Sequence, residues 1–167
     1  MVDSPRNLTS LKLSSWDGSV ALPSSLIHFE AEYVDYSEYS EVSTLPHSLE
    51  SFVTLDKFYA VDLLVPLLPP STRKLHLGKI HLLDARSSCA IFEQLPKFLT
   101  SFAFPDRESK GINFKTNPEL ISLLPTTLTE LDIGPDLPCS VWHLLPPVLR
   151  KLSFAVPEHL TTVNIIV

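Results

Sequence analysis

His28, Glu30 and Glu32 are the side chains whose types and spacing come closest to a metal site. They alternate along a stretch with the pattern of a strand, so all three are expected on one face. Imidazole and carboxylate groups both bind divalent metals. Closed metal sites, however, usually need further ligands in a fixed geometry. We therefore predict a polar strand face here and no metal ion.

Three tyrosines, Tyr33, Tyr36 and Tyr39, follow this stretch and alternate with acidic residues. Tyrosine offers a large contact area at a low cost in conformational entropy, which makes it a good anchor in recognition loops. The segment is therefore either a recognition or modification loop or an ordinary loop that covers the fold. The sequence leaves both interpretations open.

Catalytic patterns are weak in this chain. Ser, His and Asp are present, but none lies in a nucleophile-elbow context such as GxSxG. With only four glycines there is no phosphate-binding loop of the GxxxxGK or GxGxxG type. We expect no enzyme activity and no cofactor.

Charge and composition narrow the class of partner. The net charge is -6, and residues 13–56 carry eight acidic residues without a Lys or Arg. A basic stripe for nucleic acid is missing, and no apolar run is long enough to cross a bilayer. The N-terminus lacks a signal-peptide pattern, and two cysteines suit a reducing compartment. We expect a cytoplasmic protein that binds neither nucleic acid nor membrane.

A repeated phrase must position all of these residues. Leu-Pro-x-x-Leu recurs along the chain, and apolar residues follow each proline at +3, +6 and +8 in 22 of 24 slots, with Thr54 and Thr72 as exceptions. The intervals between the prolines are 18, 23, 23, 27, 29, 21 and 11 residues. The phrase prolines are Pro5, Pro23, Pro46, Pro69, Pro96, Pro125, Pro146 and Pro157.

The +6 and +8 positions alternate as a short strand does, with both side chains directed inward and the residue between them directed to solvent. Parallel strands need crossover connections, and residues 62–64, 90–95, 119–124 and 141–145 have the pattern of one or two helical turns. The last interval is too short for a full unit. We therefore expect seven repeats and regard the one at Pro157 as incomplete.

The spacing L-x-x-L-x-L resembles that of leucine-rich repeats, and the Leu-Pro lead is similar to FNIP-type repeats and to those of bacterial effector ubiquitin ligases. The resemblance implies an α/β leucine-rich-repeat solenoid, or horseshoe, with a parallel concave sheet and short helical or irregular convex segments. Residues 1–167 would form one domain of about seven irregular repeats, either complete or a fragment of a longer array. Uncapped ends would allow self-association.

The function that this implies is non-catalytic protein–protein interaction with a partner whose identity the sequence does not give. The alternative is the substrate-recognition part of a ubiquitin ligase whose catalytic or adaptor part lies outside this chain. The binding surface would be the Tyr33, Tyr36 and Tyr39 loop or the concave face. The concave-face candidates are Lys12, Glu30, Glu32, Val53, His76, Ala103, Asp132 and Ser153.

Overall fold

The structure, a computed structural model, describes residues 7–35, 44–59, 61–81, 85–104, 114, 117–133, 137–154 and 163–166. Its strands are β1 Ser10–Trp16, β2 His28–Asp35, β3 Ser51–Thr54, β4 Lys57–Tyr59, β5 Lys74–His76, β6 Lys79–His81, β7 Ser101–Phe104, β8 Glu130–Ile133, β9 Lys151–Phe154 and β10 Val163–Ile166. The helices are α1 Val61–Leu64, α2 Ala85–Glu93 and α3 Glu119–Ser122, with 3₁₀ segments at Val65–Leu67 and Cys139–Leu144.

Seven strands form one parallel row in the order β1-β2-β3-β5-β7-β8-β9. The residues in register at the start of these strands are Ser10, His28, Ser51, Lys74, Ser101, Glu130 and Lys151. Successive members of this set lie 18, 23, 23, 27, 29 and 21 residues apart, the same intervals that separate the phrase prolines. The prediction of an α/β fold with a parallel sheet is confirmed.

The strand after the last phrase runs the other way. β10 pairs antiparallel with β9, with Val163 opposite Phe154 and Ile166 opposite Lys151. An antiparallel connection needs far fewer residues than a parallel crossover. The 11-residue interval therefore ends in a reversed strand, and the parallel order stops at β9.

The connections contain short helical segments. Segments 62–64, 119–124 and 141–145, predicted as helical turns, overlap α1, α3 and the second 3₁₀ segment. The longest helix, α2, begins at Ala85 and so starts earlier than the predicted segment 90–95. None of the helices in the described part of the chain is long and apolar enough to cross a membrane.

The core lies on one side of the sheet and is built from the inward strand positions. Phe29, Phe52, Leu75, Phe102 and Leu131 lie in register across neighbouring strands and are essentially unexposed. Burial of a side chain of this size contributes about 1.5–3 kcal/mol. The apolar ladder therefore holds the strands together by continuous contact from one to the next.

Each complete Leu-Pro phrase forms the same tight turn. The proline carbonyl accepts a hydrogen bond from the backbone N–H three residues later, as in Leu26 to Pro23 and Leu99 to Pro96, at 3.0 and 3.1 Å. The residue before a proline is restricted to extended backbone, which ends the preceding crossover. Residues at +3 such as Leu26 and Leu99 are fully buried under the turn. The phrase thus fixes where each strand starts.

Hydroxyl side chains at +2 join neighbouring turns. Ser48 Oγ lies 2.8 Å from the carbonyl oxygen of Ser24 and 2.7 Å from that of Leu26. Ser71 makes the equivalent contacts with His47 and Leu49. We call these contacts the hydroxyl staples. They satisfy carbonyl groups of one turn with the hydroxyl of the next.

Two phrases carry apolar residues at +2 instead, and both side chains are exposed. Phe98 is stacked by the Arg73 guanidinium, 5.1 Å from the ring centre, and Arg73 also donates a hydrogen bond to the Phe98 carbonyl at 3.0 Å. Val148 occupies the other position. At Phe98 an arginine therefore links the two turns in place of a hydroxyl.

The segment that contains β3 and β4 has one more residue than the part of β2 with which it pairs. Ala31 pairs with Thr54, whereas Val34 pairs with Phe58, so the interval is three residues in β2 and four between β3 and β4. The additional length lies at Asp56, whose carbonyl accepts a hydrogen bond from the Lys79 N–H at 2.6 Å. The insertion pushes this carbonyl toward the next unit.

Gly78 accommodates that carbonyl. A Cβ at Gly78 would overlap the carbonyl oxygen of Asp56, so no side chain fits there without movement of the backbone. The Gly78 N–H donates to Thr54 Oγ1 at 2.8 Å, which satisfies the hydroxyl of a fully buried residue. Thr54 is one of the two exceptions to the apolar pattern. Its hydroxyl is explained by this bond.

We predict that Ser48→Ala and Ser71→Ala each lower the free energy of unfolding by about 1 kcal/mol, because each removes a hydroxyl staple. Chemical denaturation monitored by circular dichroism measures the effect. Ser24→Ala is the matched control, since Ser24 is exposed in the same kind of turn and its hydroxyl makes no staple. Equal losses in all three variants would contradict a specific role for the +2 hydroxyls.

We predict that Gly78→Ala destabilises the fold by about 1–3 kcal/mol, the usual cost of local backbone strain. The added methyl group displaces the Asp56 carbonyl and weakens its bond to Lys79. Thermal unfolding compared with the exposed-strand variant Ser10→Ala gives the measurement. A melting temperature equal to that of the control would show that the Asp56 backbone can shift to accommodate a methyl group without loss of stability.

Candidate functional site

The outward residues of the seven parallel strands lie in one straight line across the sheet. The register pairs Lys12 with Glu30, and the remaining members follow without a gap. We call this line the outer row; it consists of Lys12, Glu30, Val53, His76, Ala103, Asp132 and Ser153. Seven of the eight face residues predicted from the sequence therefore share one surface feature.

Glu32, the eighth predicted face residue, lies two positions beyond Glu30 on β2 and is exposed. It is not part of the outer row, because β3 ends opposite Ala31. The backbone carbonyl of Glu32 accepts a hydrogen bond from Asp56 N–H at 2.8 Å. Its carboxylate thus adds negative charge beside the row.

One end of the outer row contains an ion pair. Lys12 Nζ lies 2.6 Å from Glu30 Oε1, and burial of the two side chains is limited, at 62% and 37% exposed. The bond to Glu30 raises the pKa of Lys12, with further contributions from the Glu30 and Glu32 charges. Exposed pairs of this kind stabilise a protein little. The pair mainly neutralises Glu30.

A second line of outward residues runs beside the outer row through the strand starts. It contains Lys74, Ser101, Glu130 and Lys151 in register on β5, β7, β8 and β9. Ser101 Oγ donates to Glu130 Oε2 at 3.2 Å. Glu130 also has Lys151 as its direct neighbour on β9. The charges of this line therefore alternate and partly compensate one another.

A shallow depression of about 160 Å³ lies where the two lines cross β5, β7, β8 and β9. Its centre is formed by the small side chain of Ala103, between His76 on one side and Asp132 on the other. Ser101 and Ser153 extend the depression, because their side chains are also short. We call this feature the Ala103 depression.

Two titratable groups on the walls of the depression are half-buried. Burial lowers the pKa of His76, helped by Lys74 and opposed mainly by the Asp132 charge. Burial also raises the pKa of Asp132, and the charges of His76 and Lys151 oppose that rise. Both shifts favour the neutral forms. Both groups are therefore less completely solvated than free side chains.

The tyrosine segment differs from the predicted loop. Tyr33 is a residue of β2, half-buried and in register with Ser15, so its assignment to a loop was wrong. The strand simply continues to Asp35, whose Oδ2 accepts a hydrogen bond from the Tyr33 hydroxyl at 3.1 Å. Tyr36 and Tyr39 lie outside the described residues.

A larger cavity that the sequence did not predict lies at the ends of β1 and β2, with a volume of about 550 Å³. Leu13, Trp16 and Val20 supply its apolar lining, and Trp16 Nε1 donates to the Val20 carbonyl at 3.1 Å. The polar groups of the cavity form hydrogen bonds with one another. The Asp17 carboxylate accepts hydrogen bonds from Ser19, and the Asp35 carboxylate accepts one from the Tyr33 hydroxyl.

His28, Glu30 and Glu32 do alternate along β2, as predicted. Among the described residues there is no group of three His, Cys, Asp or Glu side chains that could hold a metal ion. Glu30 faces Lys12 instead. The arrangement is that of a polar strand face with one ion pair.

The sequence matches no protein-family profile and no curated relative, and the structure matches no solved structure.

We predict that Asp132→Asn raises the free energy of unfolding at about pH 7 and leaves it unchanged at about pH 3. The pKa of Asp132 in the folded protein is raised above 3.8, its value in the unfolded chain. Stability is therefore lost as the pH rises through the raised pKa. The neutral amide avoids that loss. Denaturant titrations at the two pH values measure it.

Glu32→Gln is the control, because it removes one charge from an exposed site on the same side of the sheet. A destabilised Asp132→Asn variant at neutral pH would mean that the carboxylate makes a favourable bond in the folded protein.

Proposed function

We propose that the chain is a leucine-rich-repeat solenoid that binds a protein partner through the outer row and has no catalytic role. The observation that carries the proposal is the outer row itself: one outward side chain from each of seven parallel strands, in unbroken register. The match between strand offsets and phrase intervals supports the repeat architecture, because each unit then contributes one strand and one return segment.

The size of the surface suits a protein partner. Neighbouring strands lie about 4.8 Å apart, so the row from Lys12 to Ser153 is roughly 29 Å long. A standard interface covers about 800 Å² on each partner. The row and the line beside it supply part of that area, and a partner of standard size would also contact the turns at the strand starts.

The chemical composition of the outer row also supports a protein-binding role. The inward ladders on either side are apolar because the core requires it, whereas the outward position carries a different chemical type on nearly every strand. Such a surface supplies charge, hydrogen bonding and apolar contact at fixed spacings. This is what a specific, partly polar interface needs.

Hydrolase chemistry is disfavoured by the order of the row. His76, Asp132 and Ser153 border the same depression, yet Ala103 separates His76 from Asp132. His76 and Ser153 lie three strand spacings apart, about 14 Å. A nucleophile and its base must be within hydrogen-bond reach. These residues are too widely spaced for a triad.

The larger cavity near Trp16 is a weaker candidate. Its volume of about 550 Å³ is within the range of small-molecule sites. However, its Asp17 and Asp35 carboxylates accept bonds from side chains of the same site. A ligand would have to displace those bonds. The outer row therefore remains the better-supported surface.

We predict that Ala103→Arg reduces partner binding at least about tenfold, because the long side chain fills the depression and blocks the face. The immobilised chain first captures interacting proteins from a cell extract; each one is then purified, and its affinity is measured by surface plasmon resonance. Val148→Arg is the matched control, since Val148 is exposed in a turn away from the outer row.

Circular dichroism must show that both variants fold. The proposal fails if Ala103→Arg binds every captured protein as the unmodified chain does, or if Val148→Arg alone abolishes binding.

A further inference from the structure

The Ala103 depression is a concave feature at the centre of the β5, β7, β8 and β9 part of the outer row. Its volume of about 160 Å³ is below the 300–1,000 Å³ of typical small-molecule sites. It is open along the sheet and has a small apolar floor at Ala103 with polar walls. A space of this size and shape suits a single side chain that projects from a protein surface.

The carboxylates near the depression differ in their neighbours. Glu130 accepts a hydrogen bond from Ser101 and has Lys151 beside it in register. Asp132, on the same strand, has Ala103 and Ser153 as its register neighbours, and neither carries charge. Among the residues that the structure describes, no hydrogen bond or ion pair reaches the Asp132 carboxylate.

This difference matters when a partner covers the sheet. Asp132 is already half-buried, and a covering surface would remove its remaining water. Burial of a carboxylate without a compensating donor is strongly unfavourable. A partner that fits this face must therefore bring hydrogen-bond donors or a positive charge to Asp132.

We infer that the Ala103 depression seats a basic side chain of the protein partner, arginine in preference to lysine, with Asp132 as its counter-charge. The inference rests on the proposed binding function and adds the chemistry of the contact. A guanidinium presents paired N–H donors that match a carboxylate, and its flat face can lie on the Ala103 methyl group. Its stem fills the remaining depth.

Two lysines also line the depression. Lys74 and Lys151 lie in the neighbouring line, three strand spacings apart, and both are exposed; the Lys151 charge acts on Asp132 without forming an ion pair with it in the described part of the chain. Their ammonium groups can stay in solvent while their stems rest on the sheet. At about 14 Å apart they are also too distant to clamp one phosphate, and Asp132 and Glu130 lie between them.

The test uses the full chain, labelled with ¹⁵N, and capped tripeptides of the form Gly-X-Gly with X as Arg, Lys, Gln or Glu. We expect the arginine peptide to shift the backbone amide signals of Ala103, Asp132 and Ser153 saturably, with a dissociation constant of the order of millimolar. The order of affinity should be Arg, then Lys, then Gln, with no saturation for Glu.

Asp132→Asn should weaken the arginine peptide at least about fivefold, because it removes the counter-charge. Glu119→Gln is the matched control and should leave the affinity unchanged, since Glu119 is exposed on α3 and does not line the depression. Asp132→Asn is expected to fold at least as stably as the unmodified chain, so loss of binding is not loss of structure.

Three results would overturn the inference: equal saturation by the glutamate peptide, an unchanged affinity in Asp132→Asn, or no shift at these amides up to about 50 mM arginine peptide. Each is distinguishable from failure of the proposed function. Partner binding that is lost in Ala103→Arg but insensitive to Asp132→Asn would retain the outer row as the interface and reject the basic anchor.

Discussion

The tight turn at each Leu-Pro phrase is the constraint on which the rest of the molecule depends. The proline carbonyl fixes the backbone three residues later, and the strand begins two residues beyond that point at the same register position as in the preceding unit. Side chains alternate with a period of two, so a slip of one residue would exchange the inward and outward sets. The turn therefore defines the core and the outer row together.

Irregular unit lengths are compatible with this constraint because most of the variation lies between the strands. The interval from Lys74 to Ser101 contains α2, whereas that from Ser10 to His28 contains only a loop. Added length in a connection costs little closure entropy. Added length beside a strand is different: the single residue at Asp56 is tolerated only where Gly78 leaves room for its carbonyl.

Much of this architecture could be predicted from the sequence. Apolar spacing after each proline predicted the inward positions, and the residues between them occupy the outward register positions, although Ser153 is buried at 8% exposure. Those features follow from local chain geometry alone. The reversal of β10 could not be predicted, because a short interval limits the connection without specifying the direction of the strand.

Other features depended on neighbours that are distant in the chain. The hydroxyl staples left a signal in Ser25, Ser48, Ser71 and Thr127 at the same phrase position, but their acceptors lie 17 to 30 residues away. Tyr33 was assigned to a loop because the extent of β2 depends on pairing with β1 and β4. The neighbours of Asp132 likewise follow only from the pairing of β8 with β7 and β9.

The environment of Asp132 bears on the proposal that the outer row binds a partner. Its carboxylate is held where burial disfavours the charge, and the core does not require an acid at an outward position. Asparagine or serine would fit the same site at lower cost. A residue that lowers the stability of the free protein without a structural reason is typical of a site selected for binding. The row thus combines a scaffold set by the inward residues with outward side chains that the scaffold does not constrain, and burial raises the pKa of one of them, Asp132.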